Sequence, residues 1–411
     1  MNYIIKTMPN VKKFNDYIFD IKTNKTPIML SGLTDVGKVH MSYATKFYSE
    51  KPICIITYNE LQAKKIIADM NFFSESIEFF PKREIMTFDY LAESKDALYD
   101  RISVLNNIVK KKTKVIVTTI EAVMQKMISK DNLYKYVMNL KPGDTINLSE
   151  LKEKLVLLGY ERYDLIEGKG QFSVRGGIID IATSQNSGIR IELWGDEVDS
   201  IRKFSIMSQR TTEMLDFAEI YPAYEFLLES DVNSICSKIE NRDYSKQIEE
   251  KVMQDISEIK DGDYINKIDK YFNSFYENTS TLLDYISEDF VVFLDEIEKI
   301  KGRAEAISKD TENLMKELVE KNRIVPESFI QKENFVDFLE KIKSKQVVYL
   351  EKQDIGLIDK HSMHAKRNGY SFSYREVKFF RSSMDLLFQK LQKAINTSQQ
   401  TVVMRWKFRR M

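Results

Sequence analysis

The sequence predicts an α/β protein whose parallel sheet carries an inserted β-rich α+β domain and is followed by a partial α/β domain. Two observations lead to this fold class. Short, continuous apolar runs alternate with segments of helical periodicity in the first third of the chain, and a later stretch contains strands joined by short turns. Buried parallel strands read as continuous apolar runs, whereas short connections indicate antiparallel neighbours. A chain of 411 residues has room for roughly two to four such domains.

Residues 1–122 are predicted to form the first α/β domain. The apolar run "PIMLSG" (27–32) ends in a glycine loop and precedes a helical pattern, and the runs "ICIITY" (53–58) and "KVIVTT" (114–119) each precede another. This order predicts strands buried between layers of helices. The glycine loop then lies where an α/β sheet of this kind binds a phosphate.

Residues 123–212 are predicted to form the inserted β-rich domain. Its strands are "QFSVRGGIIDIA", "GIRIELW" and "EVDSIRKFS", joined by the turn-like segments "TSQNSG" and "GDE". Connections this short predict that the three strands are antiparallel neighbours.

The rest of the chain is predicted to form two further parts. Residues 213–345 should be a helical, highly charged domain that completes the α/β module and contains one conspicuous strand, "DFVVFLDEIEKI" (289–300). Residues 346–411 begin with the apolar run "QVVYLE". We interpret them as the truncated start of a further α/β domain, because so short a segment rarely completes a parallel-sheet domain.

The composition argues against several classes of function. Lys and Arg number 62 and Asp and Glu number 62, so the net charge gives no general attraction to nucleic acid or to an anionic membrane. The two cysteines lie far apart and only three histidines occur, which favours neither a disulfide framework nor a Cys/His metal site. A long apolar run and a signal-peptide pattern are both missing, so we expect a cytoplasmic protein that does not cross a membrane.

The loop "LSGLTDVGKVH" contains most of a phosphate-binding P-loop, G-x-x-x-x-G-K-[ST]. Gly32, Gly37 and Lys38 are in place, but Val39 stands where a Ser or Thr hydroxyl would help to hold Mg²⁺. Asp35 also adds negative charge close to the expected phosphates. One interpretation is a site that binds ATP weakly. The other, which we favour, is a remnant whose glycines only shape the turn.

The run "VVFLDE" (291–296) is similar to a Walker B strand. In such a strand, Asp295 would hold Mg²⁺ through water and Glu296 would activate the attacking water. Together with the P-loop, the pattern indicates a RecA-like fold of the helicase type. The second lobe and its arginine fingers have no counterpart in the sequence, so we predict no catalytic residue, cofactor or metal ligand.

The strand "GIRIELW" is predicted to present a binding face. Alternate residues of 189–193 are apolar and belong to the core, which places Arg190 and Trp194 on the opposite face, with Arg175 and Arg202 on neighbouring strands. Trp and Arg are the residues most enriched in binding hot spots, so this face is predicted to bind a partner. The alternative is that another segment of the same chain covers Trp194.

Several of these segments resemble one family. "GQFSVRGGIIDI" and "IRIELWGDEVDSIRKFSIMSQRT" resemble the second domain of transcription-repair coupling factors, and "FFPKREIMTFDY", "ALYDRISVLNNI" and "KVIVTTIEAVMQKM" resemble their first domain. The resemblance is closer over residues 20–212 than over residues 213–380. It implies an N-terminal UvrB-like module that has a degenerate nucleotide site and whose second domain docks onto the repair protein UvrA.

The resemblance also implies roles for individual residues. By position in the matching motif, the contacts with UvrA carry over to Arg175, Arg190 and Trp194, and Arg202 fits the same pattern. In the family, RNA polymerase binding and ATP-driven translocation belong to later domains, which would lie beyond this chain. The expected role is therefore that of a non-catalytic adaptor that recruits UvrA for transcription-coupled nucleotide excision repair, with at most weak contact with DNA.

The UvrB helicase itself is the nearest alternative. UvrB keeps an intact P-loop, which Val39 interrupts here, and carries a Tyr-rich hairpin that clamps DNA. Residues 79–101 contain Tyr90 and Tyr99 but no tyrosine cluster. An ATP-dependent nucleic-acid enzyme of the UvrB type is therefore the second hypothesis, and a gene product truncated by a frameshift is the third.

Overall fold

The computed structural model describes most of the chain. The described residues are 3–73, 76–83, 95–225, 227–228, 231–242, 244, 246–262, 265–268, 270–321, 332–353 and 368–374, with a few single positions between 385 and 396.

The secondary-structure elements are numbered in chain order. The strands are β1 (Ile28–Ser31), β2 (Ile53–Thr57), β3 (Glu78–Phe80), β4 (Val115–Thr119), β5 (Met127–Ile128), β6 (Met138–Leu140), β7 (Glu161–Arg162), β8 (Gln171–Arg175), β9 (Ile178–Ile181), β10 (Ser187–Trp194), β11 (Glu197–Ser205), β12 (Thr211–Met214), β13 (Ala218–Ile220), β14 (Thr279–Ser280), β15 (Val291–Asp295), β16 (Gln346–Leu350) and β17 (Asn368–Ser371). The helices are α1 (Tyr3–Lys6), α2 (Lys12–Lys22), α3 (Asp35–Ser49), α4 (Glu60–Met70), α5 (Lys95–Val109), α6 (Ile120–Val123), α7 (Lys130–Lys135), α8 (Leu148–Leu157), α9 (Val232–Glu240), α10 (Lys246–Lys260), α11 (Ile265–Ile268), α12 (Phe272–Phe275), α13 (Leu282–Tyr285), α14 (Ile297–Glu320) and α15 (Phe335–Ile342).

The first sheet is parallel throughout. Its strands follow the order β17-β1-β16-β15-β2-β4-β3, and each neighbouring pair is parallel. Every residue of β2, β4, β15 and β16 is buried. A strand covered by helices on both faces needs apolar side chains on both, which explains the continuous apolar runs in the sequence. The predicted α/β fold with a parallel sheet is confirmed.

The predicted domain start at residue 346 does not appear in the structure. The strand β16 lies between β1 and β15 in the middle of the first sheet, and β17 pairs with β1 at its edge. The interpretation of residues 346–411 as the start of a separate domain is therefore wrong for their described strands. A parallel strand reaches its partner through a long crossover connection, so the local pattern predicted a strand without showing which sheet it joins.

The inserted domain is a six-stranded sheet in the order β12-β11-β10-β9-β8-β7. All of its strand pairs are antiparallel except β7 with β8. The segment "QFSVRGGIIDIA", which we predicted as one strand, is a hairpin of β8 and β9. Its two-residue turn is Gly176 and Gly177, and Gly176 has a φ of +61°, which glycine adopts without a steric cost.

One apolar core joins the two sheets. A single cluster of buried residues contains Ile56 of β2 and Phe80 of β3. It continues through Phe172 of β8 and Ile191 of β10, and reaches Ile235 of α9. The inserted sheet is therefore packed on the α/β domain through a shared core. The opposite face of the first sheet is covered by α2, α3 and α4, whose buried residues form a second cluster.

The helical region that we predicted for residues 213–345 contains α9 to α15 and the buried strand β15. Two short strands in this region return to residues that precede the inserted sheet, because β13 pairs with β6 and β14 pairs with β5. Within the described residues, none of the helices combines the length and the apolar character that a bilayer span would need.

A buried ion-pair network also links the chain before the insertion to the chain after it. Glu225 accepts hydrogen bonds from Nε and Nη2 of Arg101 at 2.9 and 3.2 Å. Arg101 Nη1 donates to Gln125 Oε1 at 3.1 Å, and Arg83 Nε lies 3.6 Å from Glu225 Oε1. The guanidinium of Arg101 also lies over the ring of Phe80, 4.2 Å from its centre. Glu225, beyond the inserted sheet, is thus held by residues that come before it.

Candidate functional site

The outer face of the inserted sheet is the face opposite its core. In β10, Ile189 and Ile191 are buried, and Arg190 lies on the other side, as the alternation predicts. Trp194 follows a β-bulge and pairs with Glu197 at the end of the hairpin. Its side chain is 83% exposed. The described part of the chain therefore leaves Trp194 uncovered, against the alternative that it packs under another segment.

A buried carboxylate lies at the centre of this face. Asp180 of β9 is opposite Arg190 in the sheet and is only 1% exposed. Arg190 donates to it twice, from Nε to Oδ1 at 2.6 Å and from Nη2 to Oδ2 at 2.9 Å. Arg175 donates to the same Oδ2 from Nη2 at 2.7 Å. Two guanidinium groups thus share one carboxylate, which leaves one positive charge in excess in this trio.

Arg190 is held in place by its own chain. Its guanidinium lies over the ring of Phe204, 5.0 Å from the ring centre, and Nη1 reaches the carbonyl oxygen of Gln209 at 3.5 Å. Hydrogen bonds to Asp180 raise the pKa of Arg190 above its ordinary value. We predicted that this arginine would contact a partner, but the structure shows its two-pronged hydrogen bonding used on Asp180. Alternation predicted the face correctly, whereas the partner depends on the register of β9.

The other two arginines are more accessible. The side chain of Arg175 is 48% exposed and that of Arg202 is 35% exposed. Arg202 Nη1 lies 3.3 Å from Glu192 Oε1, and Ser200 donates to Glu192 Oε2 at 3.1 Å. Arg175 keeps donors that a bound partner can reach, while Arg202 is largely balanced by Glu192.

Sequence reasoning missed three residues of this face. Asp180 could have been found, because it alternates with buried Ile179 and Ile181 in "GIIDIA". Ile178 is 37% exposed, and Met214, which pairs with Arg202, is 64% exposed. The outer face thus combines guanidinium groups with apolar side chains, an arrangement suited to a partner surface that offers both a carboxylate and an apolar group.

The degenerate P-loop and the Walker-B-like strand meet at one edge of the first sheet. Lys38 Nζ lies 2.7 Å from Asp295 Oδ1 and also forms an ion pair with Glu296 Oε1. Asp295 Oδ2 accepts from Thr57 Oγ1 at 2.9 Å and from Gln62 Nε2 at 3.2 Å. Lys38 and Asp295 are 3% and 1% exposed. The groups that would bind phosphate and Mg²⁺ neutralise each other instead.

The loop itself is short because the helix starts early. Helix α3 begins at Asp35, so Gly37 and Lys38 belong to its first turn. The amide of Gly37 donates to Thr34 Oγ1 at 3.1 Å, and the amide of Lys38 donates to the Thr34 carbonyl at 2.9 Å. Two amides that a P-loop would point at a phosphate are thus committed to an N-cap and to the helix.

Little space is left between these groups. Val39 is 2% exposed and packs in the second apolar cluster. A cavity of about 10 Å³ is lined by Lys38, Val39 and Asp295 among others, which is room for about one water molecule. Among the described residues, no group of Cys, His, Asp and Glu side chains is arranged to hold a metal ion.

We expect the purified chain to bind ATP poorly and to show no Mg²⁺-dependent hydrolysis. The reasons are the pairing of Lys38 with two carboxylates and the absence of a hydroxyl at Val39. Val39→Thr should not restore turnover, because Lys38 would stay paired. Phosphate release with and without Mg²⁺ measures this. Turnover that Lys38→Ala abolishes would contradict the prediction.

Glu351, which lies beside this site, should make the stability of the protein depend on pH. This carboxyl is 5% exposed and accepts a hydrogen bond from the Ile297 amide at 3.1 Å. Burial, reinforced by the charge of Glu296, raises the pKa of Glu351 from 4.5 to about 7. Between these two pH values the folded protein keeps a proton that the unfolded chain has lost. Its free energy of unfolding should therefore fall as the pH rises through this window, by up to about 3 kcal/mol, and then level off.

The variant Glu351→Gln keeps the acceptor and removes the titration. Urea unfolding of both proteins at several pH values from 4.5 to 8 measures the effect. The parent should lose stability across the window while the variant changes less. Two parallel curves would contradict the assignment.

The inserted domain matches a known family. The model of the UvrB interaction domain matches residues 138–226, a range that contains Arg175, Asp180, Arg190 and Trp194. The parallel α/β sheet and an inserted domain that matches this family form the architecture that the sequence analysis predicted.

The chain is homologous over most of its length to transcription-repair-coupling factors. It is 28% identical to that of Bacillus subtilis (strain 168) over 313 residues, which is 72% of this chain and 26% of the relative. It is 26% identical to that of Staphylococcus aureus (strain bovine RF122 / ET3-1) over 394 residues, which is 92% of this chain and 33% of the relative. The chain thus spans about a quarter to a third of the length of these relatives, and the predicted resemblance is confirmed.

Proposed function

We propose that the chain is a non-catalytic adaptor that recruits UvrA for transcription-coupled nucleotide excision repair. The observation that carries this proposal is the match of residues 138–226 to the UvrB interaction domain, whose outer face presents Trp194 and Arg175 to solvent. We propose that Arg175 and Trp194 contact UvrA and that Arg202 lies at the edge of the contact. Arg190 would stabilise the face through its hydrogen bonds to Asp180.

The match of residues 138–226 supports a proposed division of the chain into domains with different roles. We propose a RecA-like domain at residues 1–122, a UvrA-binding domain at 123–212 and a helical domain at 213–345 that completes the module. The relatives are three to four times longer than the matched part. RNA polymerase binding and translocation are therefore proposed for parts of such proteins that this chain does not match.

A UvrB-type enzyme is the second candidate. The pairing of Lys38 with Asp295 and Glu296 speaks against it, because a working P-loop lysine has to reach a phosphate. Tyr99 lies in α5 and packs against the core that joins the two sheets. Residues 84–94, including Tyr90, lie outside the described residues, so the predicted lack of a DNA-clamping hairpin stays a prediction.

Calorimetry with purified UvrA tests the proposal. We expect saturable binding with a Kd of about micromolar or tighter, as is usual for interfaces of standard size. Because UvrB would use the same kind of domain, added UvrB should compete for UvrA. Binding should also be the same with Val39→Thr, since no nucleotide on this chain is involved. Absence of binding, or binding that UvrB does not displace, would contradict the proposal.

A further inference from the structure

A late segment of the chain lies over the glycine loop. The strand β17 runs parallel to β1, in the register Ile28 with Asn368 through Ser31 with Ser371. Beyond it, the Phe372 amide donates to the Ser31 carbonyl at 2.9 Å, and the Tyr374 amide donates to the Gly32 carbonyl at 3.1 Å. Residues 368–374, which we call the cover segment, therefore follow β1 directly into the loop.

Both P-loop glycines are in close contact with the cover segment. A Cβ atom at Gly32 would lie 1.9 Å from the carbonyl oxygen of Phe372, and the φ of Gly32 is +71°. A Cβ atom at Gly37 would lie 2.8 Å from the ring of Tyr374. A side chain at Gly32 would therefore collide with backbone, and a side chain at Gly37 would force the ring of Tyr374 to move.

Polar contacts also hold the cover segment. The Tyr374 hydroxyl and His40 Nδ1 are hydrogen-bonded at 2.9 Å, and His40 lies one turn after Gly37 in α3. Tyr370 donates from its hydroxyl to Asp20 Oδ2 at 2.7 Å, and Lys13 Nζ donates to the Ser371 carbonyl at 3.2 Å. The segment is thus anchored at three points along its length.

We infer that the glycine loop is a binding site for the cover segment, with a peptide carbonyl and a phenol ring in the space that a P-loop gives to phosphate. In a P-loop, glycine lets the backbone approach a phosphate group. Here the same property lets Phe372 and Tyr374 approach, while Lys38 is neutralised by Asp295 and Glu296. The site attaches the chain beyond Asn368 to the α/β domain. The inference does not depend on the binding of UvrA.

Replacement of Gly37 by alanine tests the direction of the effect. If the glycine were only a remnant, Gly37→Ala would raise the Tm slightly, because alanine is the better helix former. If Tyr374 occupies the site, Gly37→Ala should lower the Tm by about 2 °C or more. The matched control is Gly302→Ala in helix α14, where a Cβ atom would meet nothing within 4 Å. A Gly37→Ala variant that behaves like Gly302→Ala would overturn the inference.

A second background isolates the cover segment. Adding Gly37→Ala to Tyr374→Ala should no longer lower the Tm, since the ring is gone, while the smaller contact with Thr34 Oγ1 at 3.2 Å is present in both backgrounds. An equal loss in both backgrounds would show that Tyr374 is not the cause and would overturn the inference.

Hydrogen exchange of the parent protein gives an independent measurement that needs no variant. The amides of Phe372 and Tyr374 should be protected, and Mg²⁺-ATP at millimolar concentration should leave their exchange unchanged. The peptide 346–350, from the central strand β16, is the internal control. Unprotected amides in the cover segment, or exchange that ATP accelerates there alone, would overturn the inference.

Discussion

Trp194→Ala should weaken the binding of UvrA by about 30- to 1,000-fold, which corresponds to about 2 to 4 kcal/mol for a central hot-spot residue. The side chain is 83% exposed, so its removal costs the folded chain little. The loss should therefore appear in calorimetry with UvrA while the Tm stays within about 1 °C of the parent. Leu61→Ala is the matched control, because Leu61 is 80% exposed and lies on α4, which covers the first sheet and is not part of the inserted domain.

Arg175→Ala should have an effect of the same kind. Its side chain is 48% exposed, and Asp180 would still be paired with Arg190 through two hydrogen bonds after the substitution. Binding should fall strongly with the fold intact. If Trp194→Ala and Arg175→Ala both bind UvrA as the parent does, the partner-binding assignment of this face is wrong.

Arg190→Ala should behave differently from these two variants. Removal of Arg190 takes both of its hydrogen bonds from a carboxylate that is 1% exposed, and Arg175 alone would remain beside it. Asp180 Oδ1 would lose the donor that it has in the parent, and a buried acceptor left without its partner costs about 1 to 3 kcal/mol, so the Tm should fall together with the affinity. The hydrogen bonds to Asp180 are the reason why this variant should differ from Trp194→Ala and Arg175→Ala.

Glu225→Ala should have the largest effect on stability, a loss of about 3 to 5 kcal/mol in the free energy of unfolding. Glu225 is 2% exposed and takes two hydrogen bonds from Arg101, which is itself 0% exposed. The substitution would leave the guanidinium groups of Arg101 and Arg83 buried in the core without the carboxylate of Glu225. Urea unfolding measures the loss.

Two controls show whether this loss comes from the buried charge. Glu317→Ala removes a carboxylate of an exposed pair with Lys321, and should change the free energy of unfolding by less than about 1 kcal/mol. In Arg101→Met combined with Glu225→Leu, both charges are removed and the loss should be smaller than in Glu225→Ala. A Glu225→Ala variant as stable as Glu317→Ala would contradict the role of the network.

The sequence predicted the α/β sheet well because its strands carry their own signal. The runs that became β1, β2, β4 and β15 are apolar apart from one or two polar residues at their C-terminal ends, and a strand buried on both faces needs such a run. The sheet to which β16 belongs could not be predicted, since it depends on contacts with β15, about 55 residues earlier, and with β1, about 320 residues earlier. The glycine pair at Gly176 is typical of a hairpin turn, but we predicted one continuous strand there.

For the candidate site, periodicity predicted which side chains share a face but not which of them bind one another. The side of Arg190 follows from alternation in one strand, whereas its pairing with Asp180 requires the register of two strands. The P-loop pattern likewise predicted a loop near Asp295, but not that the cover segment with Tyr374 fills it. Both features depend on which segments of the chain lie beside each other, about which the pattern within one segment is silent.

The ion-pair network of Glu225 and the shared apolar core have a mechanical consequence for any partner on the outer face. Arg101 of α5 precedes the inserted domain and is tied to Glu225, which follows the inserted sheet, and the pairing of β13 with β6 is a second connection across the insertion. A force on a bound partner would therefore be carried by both connections at once, the ion-pair network and the β6–β13 pairing, and would not stretch a linker. The partner would keep a constant distance and orientation relative to the parallel sheet, so that a rotation of one carries the other with it.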